Sequence, residues 1–98
     1  MKTVCLFRVL NGDVIALFPY EPGNMSLRTC SSYIHVGQHG AADVSLIAEC
    51  RPATPDEYRE LAAELTGLGY DLDVRETLDS PFEARKARLH ALNRSTAS

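Results

Sequence analysis

Long apolar runs and paired cysteines are missing from this sequence. No stretch approaches the roughly 20 apolar residues that a membrane helix needs, which excludes a helical membrane span. The three cysteines, Cys5, Cys30 and Cys50, are odd in number and form no CxxC pair, which argues against a secreted disulfide framework. We therefore expect free thiols in a reducing compartment, and each falls at an apolar position of a strand pattern, as small core residues do.

Motifs of catalysis and cofactor binding are also missing. The sequence has no nucleophile elbow, phosphate-binding loop, HExxH or paired-carboxylate motif, and it has no internal repeat or low-complexity linker. We expect no cofactor, and we favour a binding role over an enzymatic one.

The composition that is present is that of one ordinary globular domain. Of the 98 residues, 45% are hydrophobic and 23% are charged. An apolar stretch opens the chain, but Arg8 interrupts it and Asn11-Gly12-Asp13 ends it as a turn, so we interpret it as structure and not as a signal peptide. We expect a cytoplasmic protein with a single domain over residues 1–94 and a disordered tail over 95–98.

Charge is unevenly distributed along the chain. The net charge is −3, but residues 1–79 hold 6 basic and 12 acidic side chains, whereas residues 80–98 hold 4 basic and 1 acidic. An acidic body repels phosphate backbones, so nucleic-acid binding is unfavourable unless the C-terminal segment alone makes the contact. The side chains available for that contact are Arg85, Lys86, Arg88 and Arg94, although the helix dipole also favours basic residues near a C-terminus.

Residues 3–10 and 13–19 predict a β-hairpin, because Asn11 and Gly12 both suit the positive φ of a type I′ turn. In the resulting register one face is wholly apolar and consists of Cys5, Phe7, Val9, Val14, Ala16 and Phe18. The other face is mostly apolar as well, with Val4, Leu6, Arg8, Leu10, Asp13, Ile15 and Leu17. We therefore expect a helix or a second subunit to cover it.

Two more strands are predicted before the first helix. Prolines and a glycine within residues 19–24 end the hairpin, and a third strand follows over 29–36, with Cys30, Ser32, Ile34 and Val36 inward. Gly37 to Gly40 breaks that strand, and the alternating apolar residues of 44–51 predict a fourth.

Two helices and a fifth strand complete the prediction. Thr54-Pro55-Asp56-Glu57 begins a helix with a capping box, whose apolar stripe is Tyr58, Leu61, Ala62, Leu65 and Leu68. Alternation over 70–75 predicts a fifth strand in a β-α-β unit, and Ser80-Pro81 begins a lightly packed helix that ends near Asn93. The expected fold is α+β, with one mixed, mainly antiparallel sheet of about five strands (β-β-β-β-α-β-α) and helices on one face.

Four stretches of the first 75 residues carry a resemblance to a known group. ALFP at Ala16 to Pro19, SYIHVGQHGAAD at Ser32 to Asp43, RPATPDEY at Arg51 to Tyr58 and GYDL at Gly69 to Leu72 resemble a group of small uncharacterised bacterial proteins. These proteins are often found near phage or other mobile-element genes. The resemblance implies an accessory role and assigns no site residues.

The segment from Ser31 to Asp43 is the candidate site. Tyr33, His35, Gln38 and His39 form the predicted binding surface, because polar and aromatic side chains on a glycine-hinged loop can recognise a protein or a small ligand. A purely structural role is the alternative, with Tyr33 and His35 packed on the sheet and Gln38 or His39 satisfying backbone groups in a turn.

Two chemical hypotheses use the same segment. Metal binding by Cys30, His35 and His39 would follow a C-x4-H-x3-H spacing, but in a continuous strand the histidines lie about 13 Å apart, so only a chain reversal brings them together. Catalysis would use His35 or His39 as the base, Tyr33 as the acid or hydrogen-bond donor, and Asp43 to orient an imidazole.

A small accessory module that binds another protein is the function we expect. We also expect a homodimer, because the second hairpin face and the lightly packed last helix both require cover.

Overall fold

One mostly antiparallel sheet organises the chain, which the computed structural model describes over residues 2–34, 39–76 and 81–96. The elements in chain order are β1 (Thr3–Leu10), β2 (Asp13–Pro22), β3 (Thr29–Tyr33), β4 (His39–Asp43), α1 (Leu46–Glu49), β5 (Arg51–Pro52), α2 (Pro55–Gly67), β6 (Leu72–Val74) and α3 (Pro81–Thr96). The predicted α+β class is confirmed.

The predicted hairpin forms the centre of this sheet. Asn11 and Gly12 have φ angles of 51° and 83°, as a type I′ turn requires. The turn sets the predicted register, with Leu10 opposite Asp13. The sheet order is β4-β3-β2-β1-β5, and β6 also pairs with β1.

Both faces of the sheet are covered. The face that carries Phe7, here called the Phe7 face, packs against α2, and its buried residues are Cys5, Phe7, Ala16, Phe18, Tyr33, Ala53, Leu61 and Leu65. The opposite face, here called the Leu6 face, buries Leu6, Ile15, Leu17, Cys30 and Ala42. The alternation of side chains along each strand produces this division.

A helix of the same chain also packs on the Leu6 face, where Leu46 and Ile47 of α1 contact the buried residues. The α3 helix contacts β2, and its Arg85 guanidinium donates to the carbonyls of Pro19 and Leu27. Because α2 packs on the Phe7 face and α1 on the Leu6 face, the expectation that the helices lie on one face is wrong.

The predicted third and fourth strands have different bounds. β3 ends at Tyr33, and Ile34, expected inward, is 44% exposed. The predicted strand over 44–51 is wrong, because Asp43 Oδ1 accepts a hydrogen bond from the Ser45 amide at 2.9 Å and turns the chain into α1. The strand that pairs with β3 is β4, and residues 35–38 of this region lie outside the described ranges.

The predicted β-α-β unit is also wrong in its strand directions. β5 pairs with the C-terminal half of β1 antiparallel, whereas β6 pairs with the N-terminal half of β1 parallel. β5 consists only of Arg51 and Pro52, and the Ala53 amide after it still donates to the Phe7 carbonyl at 2.9 Å. Because Ala53 therefore faces β1, the nitrogen of Pro52, which has no hydrogen, points to the outer side of this edge. The two short strands therefore share one edge of the sheet and run in opposite directions.

The helix α2 begins as predicted. Thr54 Oγ1 accepts a hydrogen bond from the Glu57 amide, and the Glu57 side chain accepts one from the Thr54 amide, which completes the capping box. Tyr58, Leu61, Ala62 and Leu65 pack on the Phe7 face. Leu68, predicted as part of the stripe, follows the helix and is 55% exposed.

The helix α3 continues to Thr96, beyond both its predicted end near Asn93 and the start of the predicted disordered tail, because no glycine or proline follows Pro81. Leu89 is buried as expected, whereas Phe82 is exposed. Arg85, expected in solvent, is buried. In the described ranges no helix has the length and apolarity to cross a membrane.

Candidate functional site

His39 lies at the centre of an aromatic cluster on the Phe7 face. It begins β4 directly opposite Tyr33 of β3, so the two side chains emerge on the same face and their rings meet edge to face with centroids 4.6 Å apart. The Nε2 atom of His39 and the Tyr70 hydroxyl are hydrogen-bonded at 3.0 Å. Tyr70 stacks on Phe18 with centroids 5.3 Å apart. Phe18, Tyr33, His39 and Tyr70 are called the His39 cluster below.

The end of α2 positions Tyr70 in this cluster. Gly69 has a φ of 107°, a conformation that favours glycine, and its amide donates to the Thr66 carbonyl at 3.0 Å. The Tyr70 amide donates to the Leu65 carbonyl at 3.1 Å. These two bonds form a Schellman motif, which reverses the chain and directs Tyr70 back onto the sheet.

Sequence reasoning missed Tyr70 as a member of the site. It assigned this residue to a strand, whereas β6 begins at Leu72. The glycine after α2 was a signal for the helix end, but no local pattern connects Tyr70 with His39, which precedes it by 31 positions.

Only part of the His39 cluster is accessible. Tyr33 is 1% exposed, so it supports the cluster from below and cannot act on a ligand as a surface donor. His39 is exposed and lines an open groove of about 360 Å³ with Leu68, Gly69 and Tyr70. A ligand at this surface meets an imidazole, a phenol and the apolar side chain of Leu68.

The structure does not bring the other predicted site residues to His39. Asp43 is at the far end of β4, about 13 Å away at 3.3 Å per residue, and the hydrogen bonds from Ser45 lower its pKa. Cys30 is buried on the Leu6 face, opposite the His39 side chain, and burial raises the pKa of its thiol. His35 and Gln38 lie outside the described residues.

The residues that the structure describes contain no group of three or more histidine, cysteine or acidic side chains placed to hold a metal ion. The hypothesis that Asp43 orients the His39 imidazole has no geometric support, because the Tyr70 hydroxyl occupies Nε2 and Asp43 turns toward Ser45.

β4 presents the second accessible feature of the site, a free strand edge. Among the residues that the structure describes, it is the last strand of the sheet and pairs with β3 alone. The Val44 amide donates to the Arg28 carbonyl at 2.8 Å, which fixes the phase of the ladder. Because inward and outward groups alternate along an antiparallel strand, the backbone groups of His39, Ala41 and Asp43 point outward. These outward groups are called the β4 edge.

The described residues of β4 lack the side chains that usually protect an edge strand. Its residues, HGAAD, include no lysine or proline, and three of them are glycine or alanine. At the opposite edge the strands are only two and three residues long, and Pro52 ends one of them. The sheet therefore offers only short strands on one side and a strand of five residues on the other.

Two grooves accompany these features. One of about 380 Å³ follows β4 on the Leu6 face and includes Leu10, Ile15, Ile34 and Leu46. The larger, of about 570 Å³, lies between the hairpin turn and α2, and its acidic residues are Asp13, Glu57, Glu60 and Glu64. Glu57 is already bonded to Arg51 and Thr54, so we interpret this larger groove as a solvated acidic surface.

The basic face predicted for the last helix is reduced in the structure. The Arg85 guanidinium donates to the carbonyls of Pro19 and Leu27 at 2.8 and 3.2 Å. Arg88 donates to the Tyr20 carbonyl at 2.8 Å and pairs with Glu21. Both side chains attach α3 to β2 and the loop after it, which leaves fewer cations for a phosphate backbone.

Comparison with known proteins adds no relative: no protein-family model matches the chain, and neither the curated proteins nor the solved structures contain a significant match.

Proposed function

We propose that this chain is a protein-interaction module that binds an extended segment of a partner by adding it as a strand to the β4 edge. The observation that carries the proposal is the contrast between the two sides of the sheet, one ended by Pro52 and the other an unprotected strand with outward backbone groups. Strand addition uses such edges directly, since main-chain hydrogen bonds supply the affinity.

The surroundings of β4 supply specificity. Alternate side chains of an added strand face opposite sides of the sheet. On the Phe7 face they meet the exposed part of the His39 cluster, and on the Leu6 face they meet the groove that includes Ile15 and Ile34. A partner segment with an aromatic or polar residue on one side and small apolar residues on the other fits both surfaces.

The cytoplasm is the location that we propose for this interaction. Cys5 and Cys30 are buried in the two core clusters as free thiols, and Cys50 is a free thiol as well. A reducing compartment keeps such thiols from pairing with those of other proteins.

A proline substitution at Ala41 tests the proposal. Because the Ala41 amide points outward, Ala41→Pro removes a donor from the β4 edge and leaves the pairing with β3 intact. Ala41→Ser is the matched control, since it keeps the amide. We expect peptides selected from a displayed random library on the wild-type protein to bind Ala41→Ser equally, and to bind Ala41→Pro at least about tenfold more weakly, a loss of about 1.4 kcal/mol.

Circular dichroism and thermal unfolding establish that both variants are folded before binding is compared. Selected peptides that bind Ala41→Pro as tightly as the wild type would show that the β4 edge is not the binding surface. The His39 cluster would then be tested by Tyr70→Phe, which removes the hydroxyl bonded to His39 and keeps the ring stacked on Phe18.

A further inference from the structure

We infer that the strand added to the β4 edge is β4 of a second copy of this chain, paired antiparallel about a two-fold axis at Ala41. The inference rests on the proposed function and names its partner. It is carried by the order of residues along β4, which is complementary to itself when the strand is reversed.

The outward groups of β4 match in this arrangement. His39, Ala41 and Asp43 are evenly spaced and all three point their backbone groups away from β3. With Ala41 opposite Ala41 of the second copy, His39 falls opposite Asp43 of that copy. Every outward amide of one strand then meets an outward carbonyl of the other, so no backbone group within the paired stretch is left without a partner.

Charge complementarity favours this register over its alternatives. The two ends of the paired strands each bring an imidazole next to a carboxylate, on the Phe7 face. A parallel pairing in the same position would place Asp43 beside Asp43, which opposes like charges, and His39 beside His39, which loses the contact between imidazole and carboxylate. A shift by two residues along the strand removes Asp43 from opposite His39 and leaves outward groups unpaired.

The side chains at both ends are free to make this contact. Within the described part of the chain His39 uses Nε2 for the Tyr70 hydroxyl, and no hydrogen bond involves its Nδ1. Asp43 is exposed and uses Oδ1 for the Ser45 amide. Between them Gly40, Ala41 and Ala42 add no large or charged side chain to either face of the paired strands.

Sedimentation equilibrium on the full chain measures the pairing. We expect the wild type to self-associate, Ala41→Ser to do so equally, and Ala41→Pro to raise the dissociation constant at least about tenfold. Asp43→Asn keeps an oxygen for the Ser45 amide but removes the charge, so we expect a few-fold weakening that high salt reproduces in the wild type.

Cysteine cross-linking determines the register even if the proline variant fails to fold. In a Cys50→Ser background, Ala41→Cys places two thiols opposite each other with Cα atoms about 5.5 Å apart, within disulfide range. Gly40→Cys is the control, because residue 40 falls opposite Ala42 of the second copy. We expect the first variant to form a disulfide dimer at least about tenfold faster under mild oxidation, given the distance limit.

Three results would each overturn the inference. The wild type could stay monomeric up to about 1 mM, or a folded Ala41→Pro variant could dimerise as tightly as the wild type. The third is formation of the disulfide dimer at the same rate by Gly40→Cys and Ala41→Cys. A monomeric wild type whose selected peptides still require the Ala41 amide would reject self-pairing and leave strand addition standing. If the proline affects neither peptide binding nor dimerisation, both proposals fail.

Discussion

At the scale of single residues, Glu57 links the start of α2 to the strand before it. Its carboxylate accepts two hydrogen bonds from the Arg51 guanidinium, at 2.8 and 2.7 Å, and one from the Thr54 amide at 2.9 Å. The Arg51 hydrogen bond, followed by that of Thr54, lowers the pKa of Glu57 to about 2 from an ordinary 4.5. All of these bonds favour the ionised form.

This shift predicts a pH-dependent contribution to stability. A carboxylate with a lowered pKa in the folded state stabilises the fold above its unfolded pKa, and the contribution disappears as the pH falls through the folded value. We expect Glu57→Gln to unfold at lower urea concentration than the wild type near pH 7, and the difference to shrink between pH 4.5 and about 2.

Glu60→Gln is the control for this measurement. Glu60 is exposed on the same helix, so its substitution removes the same charge and leaves the capping box intact. Equal urea midpoints of wild type and Glu57→Gln at pH 7, with circular dichroism as the probe, would mean that the contact with Arg51 adds nothing to stability.

At the scale of elements, the end of α2 depends on one glycine. Gly69 has a φ of 107° and Gly67 does not have a positive φ, while a Cβ on either would meet open space. We expect Gly69→Ala to lower the free energy of unfolding by about 1–2 kcal/mol through backbone strain alone. The same substitution at Gly67 is expected to raise it by up to about 1 kcal/mol, because alanine is the better helix former.

Urea denaturation of both variants measures this pair of opposite effects. The Schellman motif also directs Tyr70 toward His39. We therefore expect Gly69→Ala to loosen the contact between these two side chains as well. Two changes of the same sign would show that the end of α2 is not held in the conformation described above.

Elements with local signals were predictable from the sequence. The hairpin follows from Asn11 and Gly12, and α2 follows from the capping box at Thr54, because turn and cap chemistry act within a few residues. The predicted fourth strand was wrong because Val44 and Ile47 also fit one turn of helix, and the Asp43 side chain selects the turn.

Tertiary contacts account for what the sequence could not predict. His39 was a candidate, but its partner Tyr70 is set by the docking of α2 on the sheet and not by spacing. Arg85 resembles any exposed helical arginine until α3 packs on β2 and its guanidinium meets the Pro19 carbonyl. The β4 edge could not be predicted, because no local pattern in the sequence indicates that β4 lies at the end of the strand order.

At the scale of the whole molecule, the two packed faces protect two of the three thiols. Cys5 lies on the Phe7 face with no exposed area, and burial raises its pKa to about 12. Cys30 is fully buried on the Leu6 face, and burial also raises its pKa. Cys50 is half-buried between α1 and β5.

Thiol titration with Ellman's reagent at pH 8 tests this protection. We expect one thiol of the native protein to react quickly and the other two at least about 100-fold more slowly, because attack requires an accessible thiolate. Cys50→Ser should abolish the fast phase, and guanidinium chloride should release the slow thiols together. Fast reaction of all three in the native state would indicate that both faces open without global unfolding.

The pairing of β1 with β6 has a consequence for synthesis on the ribosome. Thr3 and Cys5 are translated about seventy positions before their partners Leu72 and Val74. Until then the N-terminal half of β1 lacks its partner on that side, whereas the C-terminal half can pair as soon as Arg51 and Pro52 of β5 are made. A nascent chain that stalls after β2 and before β5 therefore exposes an unpaired strand edge on each side of its sheet, and such fragments favour aggregation over productive folding.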